Sequence, residues 1–369
     1  MAPVVAILPP APAPYREPLF RLLAERGVVS PRVVYLAAGA AGWDQQPAWY
    51  GAAGAADVLR ARQLPRPGRS PVMLPRGVGA TLRRIGPDCV VSWEYGPSTL
   101  RALAWCRRHR RPLLLFSELT PWSDGELSAV QRRVHRTLVP RVDGFLVASS
   151  RGAERLHAMG VAPERIEVAL QSANVDALAA LATTPRPQPP PVRLLAVGRL
   201  VPDKNLELLI DALAEARLEP GRTELELVGS GPLEGELRRR AERLRVPLRI
   251  TGPVAPTELA DVYGRAHALA LVSVYEPFGV TMREGAAAGL PLICSRRAGA
   301  AGDVAVEGEN ALLVDPGSRS EIAAALRRIV LEPALRERLS AGSRAVTERH
   351  PPAAGAEAWE RAVARVTGG

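Results

Sequence analysis

Two cations and two carboxylates carry the chemistry legible in this chain. Arg199 and Lys204 stand in Gly198-Arg199-Leu200-Val201-Pro202-Asp203-Lys204-Asn205. Glu276 and Glu284 stand in Tyr275-Glu276-Pro277-Phe278-Gly279-Val280-Thr281-Met282-Arg283-Glu284-Gly285. Each segment follows an apolar, strand-like run and opens a helical pattern. Cations at the end of a strand and the mouth of a helix can clamp a pyrophosphate. The helix after Gly279 offers free N–H groups and a partial positive charge. A carboxylate one turn into it can accept both hydroxyls of a ribose, and one before it can accept hydroxyls of a sugar. The plainer alternative is a solvated glutamate pair. It fits poorly with the apolar, Ala- and Gly-rich helix that leads into another buried strand. Val228-Gly229-Ser230-Gly231-Pro232 is a turn where backbone can approach a ligand. It is not a dinucleotide fingerprint, because Gly235 falls one place late.

Lys204 is the sole lysine among 48 basic residues. Asp203 precedes it, so there is no P-loop, and Schiff-base chemistry could use only this residue. A compositional drift toward arginine explains most of the other 47 but not the lysine that remains. The 369 residues are 47% hydrophobic and 23% charged, as in a folded two-domain protein. No apolar stretch approaches the roughly 18 residues of a membrane span. The start lacks a basic leader, and Cys89, Cys106 and Cys294 are scattered in apolar runs, so a reducing, cytoplasmic setting is expected. The five histidines show no ligand spacing, there is no Asp-x-Asp, and no metal or cofactor is expected. No nucleic-acid module is recognisable. Charge is uneven: residues 1–184 hold 23 Arg against 14 acidic residues, and the remainder 25 basic against 24 acidic. Arg101 to Arg111 and Arg132, Arg133, Arg136 and Arg141 form a basic helical face. It would suit an anionic lipid surface or an anionic substrate, or it is merely solvated.

These residues need a frame. Continuously apolar strands alternate with helices, the pattern of a buried parallel sheet. The first half reads as strands Val4–Leu8, Arg32–Leu36, Asp88–Trp93, Pro112–Phe116 and Gly144–Ala148. Its helices include Glu17–Arg26, Pro97–His109 and Gly125–Leu138. Thr183 to Pro191 reads as a stiff Pro-rich connector. A second series then runs through strands Val192–Val197, Glu224–Val228, Leu248–Ile250, Ala268–Val272, Leu292–Ser295 and Ala311–Val314. Two Rossmann-like, doubly wound α/β domains are expected, residues 1–182 and 192–349, facing a central cleft. A C-terminal helix within 350–369 is expected to cross back to the first.

The second half resembles the retaining glycosyltransferases of family 4, which have the GT-B fold. The resemblance rests on Glu276-x7-Glu284 within Glu-Pro-Phe-Gly-Val-Thr, on Gly198-Arg199 with Lys204-Asn205, on Val228 to Pro232, and on Glu307-Gly308-Glu309-Asn310-Ala311-Leu312-Leu313-Val314. It implies that Arg199 and Lys204 hold a donor pyrophosphate and that Glu284 binds the ribose. Glu276 and the backbone of Phe278, Gly279, Val280 and Thr281 would hold the transferred sugar. Gly229, Gly231 and the Thr251–Gly252 loop would border the base, taken as uridine. The opening Ile7 to Phe20 also resembles the start of many members.

Where many relatives carry a histidine in the first half, this chain has Ser117-Glu118-Leu119-Thr120. Glu118 is therefore a candidate catalytic or acceptor-site residue, or else a plain loop glutamate. Gln171 to Asp176 departs from the family's Asn-Gly-Val-Asp, with Asn174 able to take the glycine's turn. Trp43, Trp49, Trp93 and Trp122, with Tyr50, are expected to stack on a sugar or cover an aglycone, and Trp105 to pack in the core. The expected function is transfer of a sugar from a UDP-sugar to a saccharide, lipid-linked or natural-product acceptor, with retention and without a metal. A sugar-nucleotide epimerase, a phosphorylase and a non-catalytic binder are the alternatives.

Overall fold

The computed structural model describes residues 1–39, 57–66, 69–173 and 175–368. Trp43, Trp49, Tyr50 and Asn174 lie outside them. The chain divides into two compact units, Met1–Ser172 with Pro352–Gly369, and Ala173–Pro351.

The first unit contains β1 (Val4–Leu8), β2 (Ser30–Tyr35), β3 (Asp57–Val58), β4 (Ala61–Arg66), β5 (Arg69–Pro75), β6 (Cys89–Trp93), β7 (Leu113–Ser117), β8 (Gly144–Val147) and β9 (Ile166–Val168). Seven form a parallel sheet in the order β3-β2-β1-β6-β7-β8-β9, and β4 and β5 pair as a separate antiparallel hairpin. β6, β7 and β8 are buried at every position, whereas the outer β2 and β9 are only partly covered. Continuous apolar runs thus mark the middle of the sheet, where helices cover both faces. The hairpin, β3 and the helix Val78–Ile85 escaped the sequence reading because their short, Arg-interrupted segments lack a sustained period. The expected helix Gly125–Leu138 is broken. A 3₁₀ turn covers Pro121–Glu126, and the helix proper, Ala129–Leu138, starts behind a Ser128–Gln131 capping box.

The helix Pro352–Thr367 belongs to this first unit. Trp359 is fully buried, with ring centroids 5.7 Å from Phe116, 6.3 Å from Phe20 and 6.3 Å from Trp93. Arg26 grips Glu360 through two bonds of 2.8 and 3.0 Å, and Arg361 and Arg365 both reach Glu167.

The second unit contains β10 (Val192–Val197), β11 (Thr223–Val228), β12 (Leu248–Gly252), β13 (Ala268–Leu271), β14 (Leu292–Ser295) and β15 (Ala311–Val314), all parallel, in the order β12-β11-β10-β13-β14-β15. The unit change falls after Ser172, ten residues ahead of the expected boundary at 182. The Pro-rich segment is not a free spacer. Arg186 donates to the Ala288 carbonyl, His267 Nε2 lies 2.7 Å from the Pro187 carbonyl, and Arg344 holds the Ala182 carbonyl at 3.3 Å. Proline stiffness is legible locally, but carbonyls left without ladder partners found donors on the second unit.

Trp359→Ala would open a cavity beneath β6 and β7. It should cost the first unit about 3–5 kcal/mol, measured by urea denaturation of the full chain.

Candidate active site

In the second unit the strand order reverses between β10 and β13. Loops leaving two such strands diverge, and a crevice opens beyond their carboxyl ends. Both charged motifs leave from these two strands. Asn205 takes the left-handed conformation, φ 57°, ahead of the helix Leu206–Glu215. Its Nδ2 donates to the Val272 and Pro316 carbonyls at 3.1 and 2.8 Å, and Val274 N donates to the Asp203 carbonyl at 3.0 Å. The turn after β10 is thereby tied to the end of β13. Lys204 and Glu276, 72 residues apart, meet as an ion pair at Glu276 Oε2, where Ser273 Oγ also donates at 3.3 Å. Their side chains are 20% and 11% exposed, within reach of a ligand. A small cavity beside them is lined by Gly198, Arg199, Lys204, Leu271 and Val272, and Arg199 is exposed at its edge.

Gly279, φ 98°, caps the helix Val280–Ala287, and a Cβ there would press on Leu271 at 2.8 Å. Val280 and Thr281 are half-buried at its first turn, where N–H groups lack intrahelical partners. Phe278 is 2% exposed, so it offers a ligand only backbone. Gly229 and Gly231 stand in the loop that leaves β11. A Cβ at either would collide with the carbonyl oxygens of Gly198 and Leu200. The glycines let the loop after β11 pack on the loop after β10. Gly299 works likewise. A Cβ there would strike the Pro277 carbonyl, and Gly299 N and Ala300 N donate to the Glu276 and Phe278 carbonyls at 3.1 and 2.8 Å. This brace was missed, although a Gly-containing run directly after a strand is its signal.

Glu284 is 7% exposed and accepts from the Tyr263 hydroxyl at 2.6 Å. Burial raises its pKa, which the Tyr263 bond opposes in part. Tyr263 was missed because it reads as one more apolar position of the helix Leu259–Arg265. Thr251 donates to Glu226 at 2.5 Å, and Arg265 binds the same carboxylate at 2.6 and 3.1 Å, which holds the end of β12.

In the first unit, Glu118 follows β7. Its Oε1 accepts from Gln171 at 2.7 Å, Arg16 at 3.3 Å and Trp93 Nε1 at 3.4 Å. Trp93 corrects the expectation of an aromatic platform. It is 5% exposed, stacked on Phe116 at 4.0 Å and covered by the Arg16 guanidinium at 4.8 Å. Trp122 is half-buried with Arg151 at 5.4 Å over its ring, and Trp105 is in the core. The basic face is partly occupied. Arg101, Arg107 and Arg141 donate to carbonyls of Pro75, Arg141 and Thr137, and Arg111 pairs with Asp88. Among the described residues no group of three His, Cys, Asp or Glu could hold a metal ion, and no helix is long and apolar enough to cross a membrane.

Residues 185–346 match the family described as glycosyl transferases group 1, and residues 11–169 match the glycosyl transferase 4-like domain. A glycogen synthase of Mycobacterium tuberculosis is 31% identical over 285 residues, 72% of this chain and 67% of that protein. The lipopolysaccharide core biosynthesis glycosyltransferase LpsD of Rhizobium meliloti is 35% identical over 171 residues, 43% of this chain and 48% of that protein. The Anabaena HepE crystal structure, in complex with UDP and glucose, superposes with a TM-score of 0.74 at 17% identity, covering 96% of this chain and 97% of that one.

Tyr263→Phe removes the hydroxyl that donates to Glu284 Oε2 and should cost about 1–3 kcal/mol. Because burial holds the folded Glu284 pKa above its unfolded value, its contribution is full below the unfolded pKa and is lost as pH rises through the folded one. Denaturant midpoints should therefore show a larger deficit for the variant at pH 7 than at pH 4.

Proposed function

The chain belongs to the glycosyl transferases group 1 family, with two doubly wound units in the GT-B architecture, and from that premise we propose that it transfers a hexosyl group from a UDP-sugar to a saccharide hydroxyl. The observation that carries this reading is the Lys204–Glu276 ion pair at the switch point of the second unit. A charged pair left partly open to solvent beside free helix N–H groups suits a ligand that is anionic at one end and hydroxylated at the other. Arg199, Lys204 and the first turn of Val280–Ala287 would take the diphosphate. Their donors stabilise charge that grows on the departing phosphate, so the reading calls for no metal. Glu284, steadied by Tyr263, would accept the ribose hydroxyls. Glu276 and the backbone of Phe278 to Thr281 would accept hydroxyls of the sugar. Glu118 would receive the acceptor in the first unit. Retention of the anomeric configuration follows from the family resemblance.

HepE holds UDP and glucose, which supports the uridine donor. The covered faces of Trp93 favour a saccharide over a flat aglycone as acceptor. The M. tuberculosis relative, a glycogen synthase, supports the same choice.

Incubation with a panel of uridine, guanosine and adenosine diphosphate sugars, without acceptor, should release one nucleoside diphosphate slowly, read by mass spectrometry. Isomerised sugar nucleotide would instead make the protein an epimerase. Lys204→Ala should weaken UDP binding by about 1.5–3 kcal/mol in calorimetry, and unchanged affinity would remove its phosphate role. Glu276→Gln should spare UDP affinity while lowering transfer. Loss of UDP binding with normal transfer per bound donor would reverse the roles given to the two glutamates.

A further inference from the structure

We propose that the switch point of the first unit is a hydroxyl-binding subsite for an uncharged polyol acceptor, in which Glu94 positions Glu118. The inference rests on the transferase reading only for the word acceptor.

In the first unit the strand order reverses between β1 and β6. The loop after β1 delivers Arg16 and the loop after β6 begins with Glu94, so both stand where a doubly wound sheet binds its ligand. Glu94 has φ 54°. The other non-glycine residues with positive φ among the described residues, Arg110, Asn205, Arg217 and Arg245, lie at helix ends, where the left-handed conformation terminates or caps a helix. Glu94 directly follows a strand, and no helix end accounts for its strain. Both of its carboxylate oxygens are engaged. Oε1 accepts the Glu118 N–H at 2.6 Å and Oε2 accepts the Ser117 hydroxyl at 2.9 Å. It therefore fixes the main chain from which the Glu118 side chain departs.

Glu118 is arranged for one more partner. Arg16, Trp93 and Gln171 all donate to Oε1, and the side chain is 20% exposed. Arg16 is 7% exposed, and its Nε has no hydrogen-bond partner. A carboxylate oxygen open to a donor and a buried N–H lacking an acceptor, on two side chains already joined, match a hydroxyl, which both donates and accepts. The charges narrow the ligand class. Arg16 is balanced by Glu118, and the next cation, Arg155, is bound to Asp124 at 2.7 and 2.9 Å. Among the described residues of this cluster, each of these two cations is thus already balanced by a carboxylate, which disfavours a phosphate or carboxylate ligand. The Trp93 ring is covered on Phe116 and under Arg16, so a flat aromatic ligand finds no platform.

The groups facing Glu94 are Ser117 at the end of β7, Glu118 just after it, Thr99 of the helix Pro97–His109, and Arg155 of the helix Ser150–Ala158, itself backed by Asp124 and His135. Burial pushes the Glu94 carboxyl up to about 7, with Glu118 adding to the rise and the N–H of Glu118 and Arg155 opposing it. Burial and Arg155 lower His135 to about 4, so it stays neutral through this range. Both Glu94 bonds are acceptances and are strongest when it is ionised.

The test is binding of maltose and myo-inositol, against glucose 6-phosphate, to the full chain by saturation-transfer NMR. The neutral polyols should bind and glucose 6-phosphate should not. Affinity should rise as pH increases through about 7. Glu94→Gln should weaken binding about tenfold and abolish that pH limb while leaving UDP affinity intact. Glu94→Gly, which relieves the left-handed strain but also removes the carboxylate, should bind as weakly. Polyol binding that is absent in wild type, unchanged in both variants, or weaker than that of glucose 6-phosphate overturns the proposal. The sugar-nucleotide panel decides separately whether the protein is a transferase.

Discussion

The ion pair of Lys204 with Glu276 is the constraint on which the second unit's functional end depends. A partly desolvated ammonium and a carboxylate are costly apart, because each alone would keep its charge without its hydration. They can meet only because β10 and β13 are neighbours at the reversal of the sheet. The surrounding devices serve that meeting. Asn205 ties its turn to the ends of β13 and of the loop after β15, Gly299 lets the segment after β14 press on Pro277, and Ser273 shares the Glu276 oxygen. Gly229 and Gly231 bring the next loop against the first. The result is a rim whose two charges are already paired at the switch point, as the proposed donor site requires.

The first unit meets the same topological problem with other residues. Its reversal lies between β1 and β6, and its joined pair is Arg16 with Glu118. Here the anchoring is aromatic. Trp93 lies on Phe116, and Trp359 of the C-terminal helix packs nearby, so the floor of the polar cluster is a stack of rings. The same stacking removes Trp93 from the surface. Apolar area and ring contact within the core outweigh exposure of a large indole to solvent.

Arginine shows how composition misleads when read alone. Part of the basic face of the first unit is engaged in holding the carbonyls of Pro75, Thr137 and Arg141 and in pairing with Asp88, which is what a five-donor planar group does in an arginine-rich chain. Lysine at position 204 is different in kind. A compact ammonium can point at a single carboxylate oxygen, or at phosphate, without the fork geometry of a guanidinium.

By itself the sequence determined the two series of buried parallel strands and the charged motifs that follow β10 and β13, with Arg199, Lys204, Glu276 and Glu284 in them. Those signals are local: an apolar run buried on both faces, a glycine before a helix, a carboxylate at a set distance into it. Tertiary structure alone decided the rest. Tyr263 on Glu284, Gly299 beneath Pro277, and Glu94 beneath Glu118 join residues from different strands and helices, and nothing in the periodicity of either segment marks them. The burial of Trp93 and the attachment of the Pro-rich segment to the second unit were hidden for the same reason. Propensity and spacing describe what a segment can form, whereas the partner of a side chain is set by which strand ends the sheet order places side by side.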